Sequence, residues 1–357
     1  MAPFSFRAEF EEGRSIDIVP TFIHPRGVEE IHKLEEDDTS AFELTFEGEN
    51  AIVDGVVSPG RATVKTKVAF NNPTTIFALV RGGWLPLPFS IPARFLVDRN
   101  VVISLRKIRE GKVAANAQAL QWWTNFFAEG TGMFNPLPYA FEAGFRRKPT
   151  MAEFVSAFDE GSSELRDALP ECHIVRFEDT HYRAAYAQLE AFDERNERET
   201  KFLQTACPLV IQRVPRRTEV EVAEAIVRIA DKFELTRGSL ATLAVLSCLY
   251  EDIHGTKPAI GRRILKPRSV YSEADAFNAL SDLRHIELAA AGQAYLKQDA
   301  FSLCTCDRPM ALLWSALSAR GECSPDGSIE FTFDLTSDLF SRLSEDELLD
   351  LKQLLCI

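Results

Sequence analysis

Two apolar strands in this chain run straight into an aspartate and then into a helix, and this repeated step constrains the fold more than any other feature. Phe95-Leu96-Val97 ends at Asp98, and Ser302-Leu303-Cys304-Thr305-Cys306 ends at Asp307. Strands that alternate with helices favour a parallel sheet with helices packed on its faces, and ligands then gather beyond the carboxyl ends of the strands. The pattern predicts an α/β fold with both aspartates on one sheet edge.

Along the chain, residues 1–90 read as a β-rich module. SIDIVPTF, AFELTFEG, AIVDGVV and ATVKTKVAF are separated by turn residues such as Gly48 with Asn50 and Pro59 with Gly60. Pro86, Pro88 and Pro92 interrupt helix and central strand alike, so a second domain is expected over 91–357. Helical periodicity there covers 117–129, 150–169, 182–204, 217–233, 238–252, 273–291 and 308–318, with strands at 173–177, 301–304 and 329–333.

Composition narrows the class. At 46% hydrophobic and 26% charged residues, the chain is an ordinary globular mixture. No apolar run approaches the ~20 residues of a membrane span, and the opening MAPFSFRAEFEEGR lacks the order of a secretory signal, so a cytoplasmic protein without membrane contact is expected. Seven cysteines, an odd number, do not suggest a disulfide framework, and Cys304 with Cys306 lacks the second pair a zinc site needs. No HExxH, GxSxG, GxGxxG or GxxxxGK[ST] occurs. A net charge of −13 argues against a general nucleic-acid binder. Local contact stays open through basic clusters, of which GRRILKPRS, with Arg262, Arg263, Lys266 and Arg268, stands out. The remaining clusters, Arg146-Arg147-Lys148 and Arg213 with Arg216-Arg217, and the run DERNERE (193–199) read as solvated surface. Trp122-Trp123 and the phenylalanines up to Phe134 read as core.

Two further acids stand in apolar surroundings. Asp282 lies beside the face made by Ala279 and Ile286 in NALSDLRHIELAAAG, and Glu142 stands in PLPYAFEAGF. Such groups are costly unless paired or metal-bound. Phosphodiester hydrolysis would explain gathering them, because divalent ions neutralise the nonbridging oxygens and provide hydroxide at neutral pH, and carboxylates suit magnesium or manganese. Each acid also has a plainer reading, a helix cap for Asp98 or Asp307 and a salt-bridge partner for Asp282 or Glu142.

Taken in order, these residues resemble the PIN-like nucleases. Asp98-Arg99-Asn100 is similar to that family's Asp-x-Asn after the first strand, and Glu142 stands where a helical glutamate follows. Asp282-Leu283-Arg284-His285-Ile286-Glu287-Leu288-Ala289 loosely matches Asp-x-x-Ile-x-x-Ala, and Thr305-Cys306-Asp307 matches a Thr-x-Asp step. The interval from Glu142 to Asp282 exceeds that of the compact toxin nucleases, which requires a helical insertion at about 150–271, and the β-rich module is also extra. Glu129, Asp159 and Glu160 compete with Glu142 for the second position.

The resemblance implies a PIN-like parallel sheet flanked by helices and a metal-dependent endoribonuclease using Mg2+ or Mn2+. Asp98, Glu142, Asp282 and Asp307 would be the ligands, with Asn100 or Thr305 orienting a ligand or water. Arg284 and His285 would stand near the scissile phosphate, and Arg284 joins Arg262, Arg263, Lys266 and Arg268 as an RNA contact. A toxin or defence enzyme acting on tRNA would fit, with an inhibitor or antitoxin-like protein or a second copy of the chain as partner. The rival readings are a non-catalytic scaffold of the same fold and a structure-specific DNA nuclease.

Overall fold

The computed structural model describes residues 6–9, 14–36, 41–68, 76–89, 94–112, 132–142, 144, 146–191, 193–251, 259–296, 301–324 and 329–356. The expected helix at 117–129, with Trp122 and Trp123, lies outside them, as does Glu129.

The first elements are β1 (Phe6–Glu9), β2 (Ser15–Ile18), β3 (Pro20–Ile23), α1 (Val28–Glu36), β4 (Phe42–Glu49), β5 (Ile52–Val53), β6 (Val56–Val57) and β7 (Arg61–Val68). They form two small antiparallel sheets, ordered β1-β2-β5-β6 and β3-β4-β7. The helix α1 interrupts the expected β-rich region. Its Val28, Ile31 and Leu34 recur at helical spacing and are all buried.

The central sheet takes in residues on both sides of residue 90. It begins with the hairpin β8 (Phe77–Val80) and β9 (Gly83–Pro86), followed by β10 (Arg94–Val97), α2 (Arg99–Arg109), β11 (Met133–Asn135), α3 (Leu137–Glu142), α4 (Met151–Ala168) and β12 (His173–Ile174). Five helices follow: α5 (Asp179–Ala191), α6 (Asp193–Ala206), α7 (Glu219–Lys232), α8 (Leu240–Leu249) and α9 (Ile260–Leu265). The long α10 (Glu273–Leu296) then leads into β13 (Phe301–Thr305) and α11 (Arg308–Leu317), and the chain ends with β14 (Arg320–Cys323), β15 (Ile329–Thr332) and α12 (Glu345–Leu355).

The sheet order is β12-β11-β10-β13-β8-β9. Pairings among β12, β11, β10 and β13 are parallel, while β8 and β9 add antiparallel. The expected parallel sheet is therefore mixed. A boundary at residue 90 would also cut it, because β8 and β9 pair into it from before that residue. The N-terminal part is tied to this hairpin, since Arg26 and Trp84 exchange backbone hydrogen bonds of 2.8 and 3.0 Å. The Trp84 indole donates to the Gly27 carbonyl at 2.9 Å.

The sheet is buried on both faces: Phe95, Leu96 and Val97 of β10 and Leu303 and Cys304 of β13 are all in the core, as two-sided helical cover requires. Phe134 of β11 stacks on Phe95, in keeping with a core role. The expected insertion at 150–271 is only partly extra, because β12 is an edge strand of the sheet and α4 is the crossover that reaches it. The helix expected over 182–204 falls within α5 and α6, with residue 192 outside the described residues.

Candidate active site

The chain leaves β10 on one side, through β11 to β12, and returns on the other side as β13. Strand order thus reverses between β10 and β13, and a crevice opens at such a point beyond the carboxyl ends of the strands. Asp98 follows β10 and Asp307 stands two residues past β13, so both flank it.

The two strand-end motifs are bonded to each other. Asp98 Oδ2 accepts from Thr305 Oγ1 at 2.7 Å and from Asn100 Nδ2 at 2.6 Å. Asn100 Oδ1 in turn accepts from the Cys306 backbone N–H at 2.9 Å, and Thr305 Oγ1 accepts from the Asp307 N–H at 2.9 Å. Both aspartates also cap helices: Asp98 Oδ1 accepts from Arg99 N at 2.6 Å, and Asp307 Oδ1 from Met310 N at 3.0 Å. Each is therefore a helix cap and a member of the strand-end network at once.

Asp98 is buried, with 3% of its surface exposed, and its pKa is pushed up to about 6. Burial is the main cause and the charge of Asp307 adds to it, against the hydrogen bonds from Thr305, Arg99 and Asn100. Asp282, on α10, is raised well above the ordinary carboxylate range, first by burial and then by the charges of Asp307, Asp98 and Glu142. The residue itself is only partly open to solvent. Glu142, the last residue of α3, is raised by burial and by Asp98, and Arg99 partly offsets this through a bond of 3.2 Å. Four acids from four segments thus repel one another across a single edge. Asp159 and Glu160 are engaged elsewhere, with Tyr182 and with Arg106.

Side-chain spacing is a separate matter. Among the described residues, no group of three or more histidine, cysteine, aspartate or glutamate side chains is arranged to hold a metal ion. The acids are close enough to feel one another's charge and too spread, as placed, to form a coordination shell.

His285, expected near the scissile phosphate, is placed beside Asp98 at this edge. It is 2% exposed, and its Nδ1 lies 3.7 Å from Asp98 Oδ1 with no hydrogen-bond partner. Burial lowers its pKa, so the neutral ring is favoured, with Glu142 working the other way. The signal was present: positions 282 and 285 are three apart on one helix and share a face.

Arg284 stands two residues from Asp282 and so turns away. It is buried 3.6 Å from Glu199, in a network that includes Arg195 and Glu287. It has no access to a phosphate at the crevice, which corrects its assignment as an RNA contact. Glu199 and Arg195 also mean that 193–199 is not simply an exposed face.

Two of the other assigned arginines are structural as well. Arg262 donates to buried Glu251 at 3.0 Å and to the Ile211 carbonyl, and Arg263 pairs with Glu35 of α1. Lys266 and Arg268 remain exposed, Arg268 beside Asp275 at 3.4 Å. Lys266 is close enough to oppose the upward shift of Asp282.

The chain matches no protein-family model, no curated protein and no solved structure. No helix among the described residues is long and apolar enough to cross a membrane.

Proposed function

We propose that the protein is a Mg2+- or Mn2+-dependent endonuclease of PIN-like type acting on RNA, with its site at the β10/β13 edge. One observation carries this reading: Asp282 feels three other carboxylates, contributed by separate segments, at the strand-order reversal. Such a cluster costs folding free energy that a hard cation would relieve, and its oxygens are the donors such a cation prefers.

Asp98, Glu142, Asp282 and Asp307 would hold the ion. A divalent ion there supplies charge neutralisation at phosphorus and a nucleophilic water at neutral pH. The chain's own residues do the rest. Thr305 and Asn100 fix the rotamer of Asp98 by donating to the same oxygen, and Arg99 holds Glu142. His285 offers an unsatisfied ring nitrogen toward Asp98, a place to hold or pass a proton. A toxin or defence role, with tRNA as substrate, belongs to the same proposal.

A second reading, a non-catalytic scaffold, is favoured by the spacing of the acids, which as placed make no coordination shell. Purified protein incubated with manganese and single-stranded RNA, tRNA or branched DNA separates the readings. Cleavage of RNA that disappears in Asp98→Asn and Asp307→Asn supports the nuclease, and cleavage of branched DNA alone replaces RNA by DNA as substrate. No cleavage leaves the scaffold, and cleavage unchanged in both variants ends the assignment of the reaction to these acids.

A further inference from the structure

A pocket of about 350 Å³ opens beside the acidic edge, lined by Arg99, Glu142, Gly144, Arg146, Phe277 and Asn278. It shares Glu142 with the edge, so whatever fills it lies next to the crevice. Gly144 has φ of +73°, a conformation that favours glycine, and a Cβ there would lie 2.8 Å from Nη2 at the flexible end of Arg99. Arg146 also adopts a left-handed conformation, with φ of +52°, which a non-glycine residue seldom takes without reason.

The lining brings together two guanidinium groups, a carboxylate, an amide and an aromatic residue. Arg99 uses one nitrogen on Glu142, at 3.2 Å, and a guanidinium carries five donors in all. The exposed Arg146 adds a second fork of the kind that suits a phosphate. Phe277, half-buried, and Asn278, exposed, complete the lining one residue apart. An aromatic residue and an amide beside two guanidinium groups are the side-chain types that take an unstacked base and its phosphate, and only a base outside a duplex is free to stack on protein.

We propose that this pocket binds one nucleotide of single-stranded nucleic acid next to the bond to be cleaved, with Arg99 and Arg146 on the phosphate and Phe277 and Asn278 on the base. The assignment of the neighbouring bond rests on the nuclease reading of the acidic edge.

The test is equilibrium binding of fluorescein-labelled decauridylate to the full chain in EDTA, where no cleavage occurs. Arg146→Ala and Asn278→Ala, both at exposed positions, should keep the fold, and Arg146→Ala should weaken binding at least fivefold and reduce the salt slope by about 1. Phe277→Ala should weaken binding at least fivefold, at a level that Phe277→Tyr restores. Arg228→Ala, on α7, should match the wild type. A hairpin RNA should compete poorly. Unchanged affinity in Arg146→Ala overturns the proposal, and so does displacement by inorganic phosphate at a concentration that UMP needs as well, since the pocket would then hold a bare anion. If binding follows these expectations and the protein cuts nothing with manganese, the nuclease reading fails and the pocket stands. Manganese-dependent cleavage with Arg146→Ala binding intact overturns the pocket and leaves the nuclease reading standing.

Discussion

The Thr305 hydroxyl donates to Asp98 Oδ2 at 2.7 Å, and this bond joins the ends of two parallel strands 207 residues apart in the chain. The same oxygen of Thr305 accepts from the Asp307 N–H, so one hydroxyl ties both strand-end aspartates together in a fully buried position. Removing it leaves a buried carboxylate short of a donor and a backbone N–H without an acceptor, and unsatisfied buried groups cost about 1–3 kcal/mol. Thr305→Val should lower stability by about that amount in urea denaturation, and Thr305→Ser should recover most of it. Equal stability of Thr305→Val and the wild type would mean the bond contributes little.

Proton linkage at Asp98 should be visible without metal. The folded protein keeps a proton on this carboxyl up to about pH 6, whereas the unfolded chain releases it near the ordinary value of 3.8. Its stabilising contribution is therefore fully present below pH 3.8 and is lost as the pH rises through 6, roughly 3 kcal/mol for a shift of this size. His285 acts in the opposite sense, because its lowered pKa favours the neutral ring and stabilises the fold as pH rises. Glu35, held down to about 2 in the fold chiefly by His32 and Arg263 against burial, loses its contribution only in a more acidic range. Comparing urea midpoints of wild type and Asp98→Asn in EDTA from pH 5 to 7 separates these effects. The gain of the variant over the wild type should grow with pH, and a gain that shrinks would contradict the assignment.

Close helix packing makes a third prediction. A Cβ on Gly261 would lie 2.0 Å from the Ala244 carbonyl oxygen, backbone against backbone, so α8 and α9 must move apart to admit it. Gly261→Ala should cost about 1–3 kcal/mol, the usual range for overpacking, read as a lower thermal midpoint. Gly27→Ala, where a Cβ meets nothing within 4 Å, is the control and should leave the midpoint nearly unchanged.

The buried pair of Glu199 and Arg284 should behave as structure. Glu199→Leu strands a buried guanidinium and should destabilise by about 3–5 kcal/mol. Arg284→Met should likewise lower stability, while decauridylate affinity of the folded fraction stays the same. Lost RNA affinity with unchanged stability would restore Arg284 to the nucleic-acid contacts.

Much of the site was legible because it depends on local order. A short apolar strand followed by Asp98 or Asp307 reports both a helix cap and a sheet edge, and strand direction then places the two together. Asp282 and His285 could be read from helical spacing, which also shows that Arg284 faces elsewhere. What the sequence hid is non-local. Nothing near the β8–β9 hairpin says that β8 pairs with β13, more than 200 residues later, so the hairpin passes for part of the preceding β-rich segment. The fate of Arg262 and Arg263 likewise depends on Glu251 and Glu35, which only folding brings near. The pocket at Gly144 depends on a backbone dihedral and on the reach of Arg99, and single-residue patterns carry neither.

In the proposed nuclease the four acids hold a divalent ion. The most direct measurement is a crystal structure of the protein soaked in manganese, with the ion located by anomalous scattering. Manganese is expected at about 2.0–2.3 Å from carboxylate oxygens of at least two among Asp98, Glu142, Asp282 and Asp307, with the side chains drawn together relative to the metal-free state. Full soaking with no ion at this edge, and Asp98 still bonded to Thr305 and Asn100 beside an unmoved Asp282, would contradict it.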